Sequence, residues 1–205
     1  MAKLLNNGYV NLVESMGHDQ AAIRNARRCW RSESKGEGAD TKLIQHLLRA
    51  GHKTPFEAMV FTFDVKTPLF VARQWFRHRM GSYNEESLRY CVALKDYYIP
   101  EGLEGQALTL WKAHNDQAFA VYEQLVSQHG LQKEQARSVL PVGLYTKFYW
   151  TVNGSALMNF LALRLDSHAQ QEIRCYAQAI LDIVILQAPI SFTAFKEVMA
   201  FADRS

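Results

Sequence analysis

The sequence predicts an α+β domain: a small twisted, mainly antiparallel sheet flanked by helices, with a long helical part towards the C-terminus. Three observations carry that expectation. Short runs of strict apolar–polar alternation, above all Phe61-Thr62-Phe63-Asp64-Val65-Lys66 and Lys147-Phe148-Tyr149-Trp150-Thr151-Val152, have the period of half-buried strands. Other runs carry apolar residues at the three- and four-residue spacing of helices packed on one face. The two kinds of segment do not follow one another in strict β–α–β order, which argues against a doubly wound parallel sheet.

In chain order, Val10, Leu12 and Met16 alternate with Asn11 and Ser15 as a first strand. Asp19 is placed to cap a helix running through Trp30, with Ile23, Ala26 and Trp30 on one face. Residues 32–40, rich in glycine, serine and charge, read as an exposed loop. Thr41 then caps a helix over 43–50 that Gly51 stops. His52-Lys53-Thr54-Pro55-Phe56-Glu57 reads, from its residues, as a polar turn before the Phe61 strand. Thr67-Pro68 has the form of an N-cap followed by a first-turn proline. It opens a helix from Leu69 to about Arg79, ended by Gly81, with Gln74, Arg77 and His78 on one face.

Residues 84–87 are expected as a loop or short turn, and Arg89 and Tyr90 lead into an apolar stretch that Tyr97-Tyr98-Ile99-Pro100 closes. Leu108, Trp111, Ala118, Tyr122 and Leu125 mark a long amphipathic helix ended by Gly130, its aromatics assigned to core or subunit interface. A short helix over 132–140 holds Arg137, by itself an ordinary solvated charge. The Trp150 strand ends at Asn153, Gly154 breaks the chain, and 155–165 is helical. Arg164 falls on that helix's apolar stripe with Leu157, Phe160 and Leu161. There either its stem covers core while the head reaches water, or the charge is paired. Ile173, Tyr176, Ala177, Ile180 and Val184 form a core helix ended by Pro189, and Ser191 caps a last helix with Phe192, Phe195, Val198 and Met199.

A chain of 205 residues with 48% hydrophobic content fits one domain, 1–205. A net charge of +3 favours anionic ligands without indicating a nucleic-acid coat. Cys29, Cys91 and Cys175 show no CxxC spacing and read as reduced thiols of a cytoplasmic protein. The start carries no apolar signal core, and the most apolar run, 179–190, is interrupted by Asp182 and Pro189 and is too short to span a bilayer, so no membrane partner is expected. Neither GxGxxG nor GxxxxGK[ST] occurs, so an anionic cofactor would rest on arginines and loop amides. No HExxH or paired Cys/His spacing points to a metal, and no GxSxG elbow to a serine hydrolase.

The polar chemistry concentrates in Arg77-His78-Arg79-Met80-Gly81-Ser82-Tyr83-Asn84-Glu85-Glu86-Ser87-Leu88-Arg89-Tyr90. Ordering so many polar groups costs desolvation unless they are satisfied. A planar polyanion would satisfy them: guanidinium forks suit phosphate and the phenols offer faces to a ring.

Arg77, His78, Arg79, Ser82, Asn84, Glu85, Ser87, Arg89 and Tyr90 resemble the signature of the flavin-dependent thymidylate synthases, and the resemblance extends over about 9–191. Ala136-Arg137 with Val139-Leu140-Pro141, and Leu163-Arg164 with Asp166-Ser167-His168-Ala169-Gln170, resemble further family segments. The resemblance implies methylation of dUMP to dTMP, with methylenetetrahydrofolate as carbon donor, NADPH as reductant and FAD as hydride carrier, in a homotetramer with sites between subunits. It implies that Gln74, Arg77, Glu85, Ser87, Arg89, Arg137 and Arg164 hold the nucleotide. Thr54, Arg77, His78, Arg79, Glu85, Asn153, Ser155, Asn159 and His168 would hold FAD, and His52 and Glu57 match positions near it. Arg164 matches the residue that acts on the pyrimidine ring. A guanidinium beside the weakly acidic N3–H favours the ionised ring, so no cysteine needs to attack.

One departure stands out. Gly154-Ser155-Ala156 occupies the place where the family often has Ala-Arg-Ser, so FAD affinity is the property expected to differ. The competing expectation is a single-stranded nucleic-acid module stacking bases on Trp75, Tyr83 and Tyr90, which Glu85 and Glu86 within the basic stretch disfavour.

Overall fold

Alternating runs that bury one face should pair side by side, and they do. The computed structural model describes residues 2–202; Met1 and 203–205, which the single-domain expectation also covers, lie outside the described residues. The strands β1 (Ala2–Leu4), β2 (Gly8–Met16), β3 (Val60–Pro68), β4 (Ser82–Glu85) and β5 (Tyr145–Asn153) form one sheet in the order β1-β2-β3-β5-β4, every pair antiparallel. In the central pair Phe61 faces Val152, Phe63 faces Trp150 and Val65 faces Phe148, so the apolar set of each strand lies on one side. That side is covered by α6 (Gly154–Arg164), α7 (Gln171–Gln187) and α8 (Pro189–Ala202), with Leu157, Phe160, Leu161, Tyr176, Ile180, Val184 and Phe192 among the buried residues. A smaller core forms under α4 (Gly105–Ser127), where Phe119 and Tyr122 meet Ala93, Ala136 and Leu144.

The α+β expectation holds, and several boundaries move. The short edge strand β1 was not anticipated. In α1 (His18–Arg28) the cap position is Gly17, and Asp19 does something else. Its buried carboxylate accepts from the backbone N–H of Ile190 at 2.9 Å and of Ser191 at 2.8 Å, so it caps α8 rather than its own helix. Trp30 lies beyond α1 and is 81% exposed, so it does not share the buried face of Ile23 and Ala26. The expected loop at 32–40 is partly helix: α2 (Glu37–Arg49) begins before Thr41, and its buried Asp40 pairs with Arg27 and accepts from Ser34.

Around the arginine-rich stretch the differences matter more. Thr67 and Pro68 finish β3, and α3 (Leu69–Trp75) stops at Trp75 instead of reaching Arg79. Trp75 is drawn into the core, Phe76 packs on Phe148, and the chain turns back along the sheet. Of residues 84–87, expected as a loop or short turn, Asn84 and Glu85 belong instead to β4 on the free edge of β5, with Tyr83 turned inward over Phe148 and Trp150. Four residues are too few to display a period. The 132–140 helix divides into α5 (Lys133–Ala136) and a 3₁₀ turn (Arg137–Val139), and Gly154 begins α6 rather than interrupting the chain.

Candidate active site

Two elements converge on one cleft of about 690 Å³. One wall is α6, whose start is fixed by Asn153 at the end of β5: the Asn153 side-chain oxygen accepts from the Ala156 N–H at 2.8 Å. Ser155, Asn159 and Leu163, spaced four apart, then line the cleft along one edge of the helix, and Arg164 completes it. The opposite wall is the turn Arg77, His78, Arg79 and Met80 between α3 and β4. Gly81 lets that turn lie flat on β5, because a Cβ there would stand 2.7 Å from Trp150 Nε1 and 3.1 Å from the Thr151 carbonyl oxygen.

Gly154 does the same for the 3₁₀ turn Thr54–Ala58, which brings Lys53 and Glu57 to the rim. A Cβ at 154 would sit 2.6 Å from the Phe56 carbonyl oxygen. Gly154→Ala is therefore expected to cost about 1–3 kcal/mol by overpacking. A thermal unfolding midpoint unchanged from wild type would show that the contact relaxes freely.

The stripe arginine is held by hydrogen bonds to neutral groups, with no ion pair among the described residues. Arg164 Nε donates to His78 Nε2 at 3.0 Å and Nη2 donates to the Gln74 carbonyl at 3.0 Å. The imidazole is held in turn: the His78 N–H donates to the Trp75 carbonyl at 3.0 Å, the Tyr83 hydroxyl donates to the His78 carbonyl at 2.8 Å, and the ring stands edge-on to Phe160. Burial, and after it the Arg164 charge, push the His78 pKa down from 6.5 to about 4. Burial and the neighbouring Arg77 charge also lower that of Arg164.

A depressed imidazole pKa means that the folded chain prefers the neutral ring. The stability this gives is present above pH 6.5 and is lost as pH falls towards about 4. In the flavin-free protein the His78 ring carbons should titrate with a midpoint near 4 by NMR; a midpoint near 6.5 would refute the buried, arginine-facing environment.

The sequence-predicted residues fall into groups. Arg77, His78, Arg79, Asn153, Ser155, Asn159 and Arg164 line the cleft. Glu85 and Arg137 line a second cleft of about 470 Å³, with Thr146 and Tyr145, that shares no lining residue with the first. Glu85 there accepts from the Thr146 hydroxyl at 2.7 Å. Arg89 pairs with Glu134 at 2.8 Å and Arg137 Nε donates to the Glu134 carbonyl at 3.2 Å, so these two arginines gather at one residue.

Gln74, Ser87, Arg89, Thr54 and His168 are not among the lining residues of either cleft. The Gln74 side chain bonds Gln170, and the His168 side chain is 94% exposed and paired with Asp166. Lys53, Met80 and Leu163 were not anticipated as lining residues. Leu163 was legible as the third member of the four-residue spacing, whereas Lys53 had no signal of its own. Trp75 is fully buried, so the nucleic-acid reading loses one of its stacking platforms.

The donor set suits a flavin dinucleotide. Lys53, Arg77 and Arg79 offer charge for a pyrophosphate, Asn153, Ser155 and Asn159 offer hydrogen bonds, and Met80, Val152 and Leu163 offer apolar surface to a ring. Among the described residues no cluster of His, Cys, Asp and Glu is arranged for a metal, and no helix is long and apolar enough to cross a membrane.

Residues 11–190 match the family profile described as thymidylate synthase complementing protein. The flavin-dependent thymidylate synthase of Thermotoga neapolitana is 47% identical, across 94% of this chain and 92% of that protein. That of Thermosipho africanus is 45% identical over the same shares. The crystal structure of the UMP/dUMP methylase PolB from Streptomyces cacaoi, bound with 5-Br dUMP, superposes with a TM-score of 0.86 at 31% identity, covering 96% of this chain and 97% of that one. With the fold, the arginine-lined cleft and these likenesses agreeing, the chain belongs to the family of flavin-dependent thymidylate synthases.

Proposed function

We propose that the protein methylates the uracil ring of dUMP to give dTMP, with methylenetetrahydrofolate as carbon donor, NADPH as reductant and FAD as hydride carrier. The observation that supports this most is the Arg164 guanidinium, fixed by two hydrogen bonds on the wall of a cleft that also holds Arg77, Arg79 and Asn159. Arg77, His78, Arg79, Asn153, Ser155 and Asn159 hold the flavin, with Lys53 adding charge where the family arginine at 155 is replaced by serine. When bound, the flavin supplies hydride transfer. Arg164 stabilises negative charge on the pyrimidine ring. Activation then needs no thiolate. Cys29 and Cys91 are exposed and Cys175 is half-buried, and none lines the cleft.

Of the nucleotide residues of one chain, Arg77 and Arg164 line one cleft and Glu85 and Arg137 the other, while Gln74, Ser87 and Arg89 line neither. Joining the two clefts across a subunit boundary makes a complete site, which favours a homotetramer with shared active sites. Exposed Tyr90, Val92, Leu94, Leu110 and Val142 supply apolar surface for such contacts. The whole chain, 1–205, works as one unit, and its unpaired cysteines suit the cytoplasm.

The deciding experiment is the visible spectrum of the purified protein, followed by dUMP-dependent release of tritium from C5 of the ring. Colourless protein that binds DNA in a salt-sensitive way would reverse the assignment. Ser87 serves as a hydroxyl donor and turn former: its oxygen accepts from the Arg89 N–H at 3.3 Å. Ser87→Ala should keep substantial turnover, and a Ser87 adduct found by mass spectrometry would overturn that role.

A further inference from the structure

We propose that His78, beyond any contact with the flavin, is the positioning residue that orients Arg164 by accepting a hydrogen bond from its Nε. The inference rests on the ring-activating role given to Arg164 above. A guanidinium carries five N–H donors in a rigid plane. Here Nε is bound to His78 Nε2 and Nη2 to the Gln74 carbonyl, which fixes both the plane and its rotation. Nη1 has no partner among the described residues, and Arg164 lines the cleft. The edge left for a ligand is therefore chosen by the two groups bound on the other edge.

Only a neutral imidazole can play this part. Nε2 must offer its lone pair, so the proton sits on Nδ1. A doubly protonated ring would turn an N–H against an N–H and place two cations side by side. The charged groups around the ring are Arg164 from α6, Arg77 and Arg79 on its own turn, and Lys53 and Glu57 across the cleft. Burial, and after it the Arg164 charge, keeps it neutral. The ring is seated by a backbone tied to Trp75 and Tyr83 and by its edge-on contact with Phe160. A carboxylate at 78 would also hold Arg164, but would cancel the charge that acts on the pyrimidine. A neutral acceptor orients the cation and leaves its charge intact.

The test compares His78→Phe, which keeps a flat ring without an acceptor, with His78→Gln, which keeps an acceptor at similar reach. Both are assayed with saturating FAD, with bound flavin measured by absorbance. His78→Phe should lower kcat roughly 10- to 100-fold with little change in the KM for dUMP, since misplacement of a catalytic group acts on the transition state. His78→Gln should recover most of that loss. Equal losses in kcat for the two variants would overturn the proposal and leave His78 as a flavin contact only.

A second readout needs neither turnover nor FAD. The Arg164 Nε–H signal of the wild-type protein, followed by ¹H–¹⁵N NMR, should move together with the titration of the His78 ring. An Arg164 signal indifferent to that titration would overturn the proposal even if no variant folds. Failure of the Arg164 role itself is read separately, as near-normal turnover in Arg164→Ala.

Discussion

Arg164→Ala should reduce dUMP turnover by about 10²–10³-fold, the loss expected when one preorganised hydrogen-bonding charge is removed from an active site. Flavin should remain bound, because Arg77, Arg79, Asn153 and Asn159 remain on the cleft walls. The effect should fall on kcat, since the charge matters most when the ring carries its negative charge. Arg164→Lys should recover little. An ammonium cannot bond His78 and the Gln74 carbonyl in one plane while presenting a third edge to the ligand. The same variant carries an internal control. Without the Arg164 charge the His78 midpoint should rise from about 4, but not the whole way to 6.5, because burial is the larger cause of the depression. Turnover within a few-fold of wild type would remove Arg164 from the chemistry, and an unmoved His78 midpoint would show that the pair is not formed in solution.

That pair marks where sequence reading reaches and where it stops. The Phe61 and Trp150 strands and the core helix of Tyr176 follow from periodicity, because each buries a single face over many residues. Arg164 on an apolar stripe announced a charge in need of a partner, but the partner lies 86 positions away in the chain and no local pattern names it. The end of α3 was misplaced for a related reason. Residues 76–79 suit a helix locally, yet the core draws in Trp75 and Phe76 and the chain turns back to pair Tyr83 with the sheet. Tertiary burial overrode propensity. Asp19 shows the converse: its type was read correctly as a helix cap, and only packing decides that the helix it caps is α8. The separation of Arg77 from Glu85 into two clefts was equally hidden, because the first lies in the turn before β4 and the second at that strand's far end.

Trp75→Ala is the substitution expected to do most to stability. Trp75 is fully buried, with ring centroids 4.9 Å from Phe160, 5.4 Å from Phe148 and Trp150, and 5.7 Å from Tyr176. Truncating so large a side chain in a core costs about 3–5 kcal/mol, or roughly 6–20 °C in Tm for a chain of this size. Its neighbours make the loss functional as well. Phe160 carries the edge of His78, the Trp75 carbonyl accepts the His78 N–H, and the next turn holds Arg77. Flavin should therefore be released below the temperature at which the variant unfolds. Trp75→Phe separates volume from polarity. The indole Nε1 is buried without a hydrogen-bond partner among the described residues, so phenylalanine removes an unsatisfied donor while keeping an aromatic face. It should lose less than half as much stability as alanine and keep its flavin. If Trp75→Phe proved as damaging as Trp75→Ala, the indole N–H would have a partner in the working enzyme. The aromatic cluster would then act through a polar contact rather than through packing alone.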